Sequence, residues 1–167
     1  SRALVLCELG RLEDAEEALR DALREEPDDP LAHGILALVL LDLDRADEAL
    51  RSASTTIALA PDLSLGHAAR AQALLSLDRF GDAEASAYDA IRVDPEEPDG
   101  WVLLTGAQLG QKRWADAVSA ADKALSLDPE SETARGLRAV ALAMSERGAD
   151  WQGAAGETLA VAPDSAT

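Results

Sequence analysis

Apolar and small residues recur along this chain at the three-to-four-residue spacing of a helix. No segment alternates with the two-residue period of a half-buried strand. The pattern predicts a first set of helices over 30–43, 64–77, 98–111 and 132–145. It predicts a second set over 13–26, 47–60, 81–94, 115–128 and 150–162. Between the members of each pair the polar links LDRAD (43–47), LDRFGD (77–82) and QKRWAD (111–116) are short, which forces neighbouring helices antiparallel. Within the first set, Ala37 with Leu40 and Ala71 with Leu74 form the packing stripe. Asp and Glu clusters at the start of each first helix are poised to cap it.

The same pattern repeats at one period. Five of the seven prolines, Pro27, Pro61, Pro95, Pro129 and Pro163, stand 34 residues apart. Twelve residues before each come Ala15, Ala49, Ala83, Ala117 and then Trp151. Four before each come Leu23, Ile57, Ile91, Leu125 and Leu159. Midway along each first helix are Ala3, Ala37, Ala71, Thr105 and Ala139. Small residues at fixed phase let two helices approach closely, and the aliphatics between them fill a core. A fixed period of this length marks a stacked-repeat architecture.

The chain resembles the tetratricopeptide repeat family along its whole length. The fourth repeat carries the resemblance best, with Trp101, Leu104, Trp114, Ala117, Ala121, Ala124 and Pro129 at the bulky, small and proline positions of that motif. Elsewhere the position of Trp101 holds His33, His67 or Arg135. The resemblance implies an all-α, right-handed superhelical solenoid of antiparallel helix pairs, about four and a half to five repeats in one domain over 1–167. The repeats fall at 1–29 (partial), 30–63, 64–97, 98–131 and 132–167. In that register the chain opens inside a repeat, so it is expected to be a fragment of a longer protein. The last repeat is degenerate, as suits a capping end. Gly148, Gly153 and Gly156 would each cost about 1 kcal/mol inside a helix. Trp151 does not fit an alanine-sized slot, so the turn at 145–150 is expected to lengthen or the last helix to shift outward.

Charge narrows the partners. The formal net charge is −17, from 15 basic and 32 acidic residues, and no basic stripe exists for nucleic acid. Anionic lipid is disfavoured on the same ground. The longest apolar run, 35–41, is too short to span a bilayer. A cytoplasmic location is expected. Scarce Lys and absent Asn point to a GC-rich, bacterial gene.

No cofactor, metal or catalytic constellation is expected, and the chain is read as a non-enzyme. His33 and His67 share one repeat phase and are read as packing residues. Asp42, Asp44 and Asp47 fail as a calcium loop, because Asp47 holds the place of the required glycine and Ala53 that of the closing glutamate. Gly100, Gly106 and Gly110 make no phosphate-binding fingerprint. Cys7 has no His or basic neighbour in sequence to activate it.

In tetratricopeptide-like solenoids the first helices line the concave face. The stripe beside the packing stripe then gives a candidate protein-binding groove. Its residues are Gly34, Ile35, Leu38 and Leu41; Ala68, Ala69, Gln72 and Leu75; Val102, Leu103, Gly106 and Leu109; and Leu137 and Val140. None is Lys, Arg or Asn, so the chain departs from the subgroup of the family that grips a terminal carboxylate with those residues. The expected function is a scaffold that binds a peptide or helix of a protein partner in this apolar groove. The alternative is a structural, self-associating segment of a longer solenoid.

Overall fold

The computed structural model describes the backbone of residues 2–160 and the side chains of residues 3, 5–7 and 9–146. Among the described residues there are nine helices and no strand: α1 (Arg2–Glu8), α2 (Leu12–Glu25), α3 (Pro30–Asp42), α4 (Ala46–Leu59), α5 (Ser64–Ser76), α6 (Phe80–Val93), α7 (Pro98–Gly110), α8 (Trp114–Leu127) and α9 (Glu132–Ala160). Each helix packs on the next, so the chain is a row of hairpins. The predicted boundaries of α2 to α8 agree to within one residue.

The hairpins close through alanine. Ala15, Ala49, Ala83 and Ala117 are wholly buried, as are Ala37, Ala71 and Thr105. Ala37 meets Ala53 of its own hairpin and Ala69 of the next. With no side chain beyond Cβ, the backbones come close enough for Leu36, Val39, Leu40, Leu74 and Leu104 to fill the remaining space. Helix α3 is apolar on every side and buries seven of its thirteen residues, because α2, α4 and α5 all pack on it.

Three devices recur in the same register. The turn between first and second helix places Gly10, Asp44, Asp78 and Lys112 at positive φ (69°, 58°, 55° and 61°). Glycine and aspartate accept this backbone readily, lysine less so. The next residue is always arginine. Arg11, Arg45, Arg79 and Arg113 each pair with an acid three residues on, Asp14, Glu48, Asp82 and Asp116. Two also reach back one repeat, Arg45 to Glu16 at 2.7 Å and Arg113 to Glu84 at 2.6 Å. The hydrogen bond from Arg45 holds the Glu48 carboxyl below its usual range, and that bond likewise raises Arg45. Last, a ring N–H fixes three of the loops that follow a second helix. His33 Nε2 donates to the Pro27 carbonyl at 2.9 Å, His67 Nε2 to Pro61 at 2.8 Å, and Trp101 Nε1 to Pro95 at 3.4 Å. This common bond explains why His and Trp interchange at one phase. Arg135, the fourth member, donates to the Glu130 carbonyl instead.

Two expectations need correction. Capping by acids holds only at α3, where Asp29 accepts from the amides of Leu31 and Ala32. Leu63 and Glu97 stand at that phase for α5 and α7 and make no side-chain cap. The second concerns the last repeat. No turn interrupts 145–150, and α9 runs unbroken for 29 residues. Ala139 is accordingly exposed, whereas its counterparts Ala37 and Ala71 are covered by the returning helix of their own hairpins. The side chain of Trp151 lies outside the described residues.

Candidate functional site

The curvature follows from which helices touch. First helices approach their successors directly, α3 on α5, α5 on α7 and α7 on α9, whereas α4, α6 and α8 make no comparable backbone approach to one another. A closely spaced row and a splayed row bend the array, with the first helices on the inner side.

The structure divides the fourteen predicted groove residues. Gly34, Ile35 and Ala69 are buried and offer no surface. Gly34 is covered by Leu65 of the next first helix, so near that a Cβ on Gly34 would lie 2.6 Å from Leu65 Cδ2. Ile35 belongs to the core formed with α1 and α2, and Ala69 packs under Ala37 and Ala53. Leu38, Leu41, Ala68, Leu75, Val102, Leu103, Gly106, Leu109 and Leu137 are half-buried, while Gln72 and Val140 are exposed. Leu38 and Leu103 also pack against core clusters. Leu75 leans on Gly106, with Leu75 Cδ1 3.3 Å from where a Cβ on Gly106 would stand. The seam between first helices therefore uses some of the apolar surface assigned to the groove.

A cavity of about 280 Å³ opens where α5 and α7 begin. Leu65, Ala68, Ala90 and Gly100 form its apolar part, and Asp94, Glu97 and Asp99 its acidic part. Sequence reasoning placed only Ala68 of these in the groove. It also missed Leu31, which is 52% exposed on the first turn of α3 and shares the phase of Leu65. Both lie one turn before the predicted stripe, so extending the i, i+3, i+4 pattern backwards would have found them.

Among the described residues no three His, Cys, Asp or Glu side chains gather as metal ligands. No described helix is long and apolar enough to cross a membrane.

The family model for the tetratricopeptide repeat matches residues 1–64 and 68–132. No curated protein matches the chain. Solved structures of similar fold include a thermophilic TPR protein of Thermus thermophilus, 24% identical, with TM-score 0.79 and coverage of 98% of this chain and 89% of that one. MamA from Desulfovibrio magneticus RS-1 is 18% identical, with TM-score 0.69 and coverage of 91% and 92%. The second TPR domain of human RPAP3, solved with the HSP70 peptide SGPTIEEVD, is 19% identical, with TM-score 0.62 and coverage of 68% and 98%. The family match spans most of the sequence, so the chain belongs to the tetratricopeptide repeat family.

Proposed function

We propose that the inner face is a protein-interaction surface that seats an apolar segment of a partner against α5 and α7, with a basic residue of the same segment over Asp94, Glu97 and Asp99. The observation that carries this is the cavity at the start of α5 and α7, apolar at Leu65 and Ala68 and acidic at its rim. From there the half-buried Ala68, Leu75, Val102 and Leu109 continue the apolar surface along both helices. The acidic rim and the net charge of −17 steer a basic partner by long-range attraction. Two leucine-sized anchors contribute roughly 3–6 kcal/mol gross. Loss of translational and rotational freedom offsets about 4–15 kcal/mol of binding energy, so the complex is weak unless polar contacts add to it. No step of this role uses catalysis. The bound peptide of the RPAP3 domain shows that one structural relative holds a peptide, and supports this reading by analogy of fold.

Peptides selected on the full chain from a random display library test it. They should combine aliphatic side chains with a nearby Lys or Arg, and Val102→Asp should abolish their binding without changing helical content. Val102 is the better probe than Leu38 or Leu103, because those two also pack on the core. Selected peptides without aliphatic residues, or equal binding by Val102→Asp, would overturn the proposal.

A further inference from the structure

Gln108 is a polar residue at a leucine position. Its phase holds Leu6, Leu40, Leu74 and Leu142 in the other repeats. Gln108 is only 3% exposed, as buried as Leu40 and Leu74, yet its Oε1 has no hydrogen-bond partner. A buried acceptor left unpaired is costly and uncommon in native proteins. This one borders a cavity of about 250 Å³ that opens between α6 and α8, walled by Tyr88, Trp101, Leu104, Asp116 and Arg113, whose guanidinium is already paired with Asp116 and Glu84. The cavity lies on the outer side of α7, well over a quarter turn round the helix from the inward stripe of Val102, Gly106 and Leu109. Clefts recur at the same place in the two preceding repeats, but with Leu40 and Leu74 where Gln108 stands and no tyrosine or tryptophan. The repeats thus supply their own comparison: one cleft of three has an orphan acceptor and aromatic walls.

The chemistry selects the occupant. An unpaired carbonyl oxygen requires an N–H or O–H donor. Tyr88 is 49% exposed, and aromatic rings such as those of Tyr88 and Trp101 attract cations over their faces. The chain's own Lys123 ammonium already lies 6.0 Å from the centroid of the Trp101 ring. A net charge of −17 repels anions and draws cations. A neutral apolar group would leave Oε1 as it is. We infer that this outer cleft is a second binding site, which takes a basic side chain of a partner protein, its stem against Tyr88 and Trp101 and its N–H donated to Gln108 Oε1. It is independent of the inner-face proposal.

The test is an amide-resolved NMR titration of the full chain with N-acetyl-arginine methylamide, beside the uncharged citrulline and norleucine analogues. The arginine probe should shift the Gln108 side-chain amide and the Trp101 indole N–H saturably. Losing a hydrogen bond to a charged donor should weaken it about ten- to a hundredfold in Gln108→Leu. Tyr88→Ala, which alters an exposed ring, should weaken it too, and Val102→Asp should leave it unchanged. Equal binding of arginine and citrulline probes, undiminished binding by Gln108→Leu, or an ordered water held at Oε1 with no response to the probe would each overturn the inference.

Discussion

Gln108→Leu should make this protein more stable. The replacement removes an acceptor that is buried without a partner, a burden of about 1–3 kcal/mol. It also exchanges an amide for a branched aliphatic chain of similar size at a position 3% exposed, which adds about 1 kcal/mol of apolar burial. The leucines at this phase in neighbouring hairpins show that the slot between first and second helix accepts that shape. A gain of about 2 kcal/mol or more is expected. For a chain of this length each kcal/mol moves the melting temperature by roughly 2–4 °C, so the shift should be about 4–8 °C or more. Calorimetry and urea unfolding read it, with the urea slope unchanged because the surface exposed on unfolding is nearly the same. A melting temperature equal to or below wild type would refute the reasoning, and would mean that Gln108 is already satisfied, by water within the cavity, or that this hairpin has lost the leucine-shaped slot. A stabilised variant that loses the arginine probe would show that the residue is retained at the expense of stability.

Lys112→Gly should raise stability by about 1 kcal/mol, since lysine holds a φ of 61° in a turn where glycine or aspartate serves elsewhere; a drop in melting temperature would contradict this. Ala83→Trp should destabilise by roughly 1–3 kcal/mol or more, because Ala83 is wholly buried where two helices meet; an unchanged melt would mean the site can open at no cost. The hydrogen bond from Arg45 lowers the Glu48 pKa below its usual 4.5, so its stabilising effect is present above that value and is lost as pH falls through the depressed one. Glu48→Gln should therefore narrow the stability difference between neutral and acid solution, and an acid limb identical to wild type in thermal melts would argue against it.

The period alone was enough to fix the hairpins. A 34-residue recurrence of alanine, aliphatic and proline places every helix from α2 to α8, because small residues at a helix crossing leave one close packing and the short links leave one direction. The arginine that follows each left-handed turn residue was equally legible in that register, although it was not picked out. Tertiary structure decided what a linear pattern cannot express. Whether Leu38, Ala69 or Gln72 meets solvent depends on how far the next first helix leans in. Leu65 over Gly34 and Leu75 over Gly106 take up surface that a single helix would leave open. The 34-residue register argued for a fifth hairpin, yet α9 continues past 145–150, since the glycines there weaken a helix only modestly and do not by themselves supply a turn. The orphan acceptor of Gln108 sits between these cases. Its departure from leucine is written in the sequence, but only the folded chain shows that no partner meets it, because hydrogen-bond satisfaction belongs to the surroundings that three helices bring together.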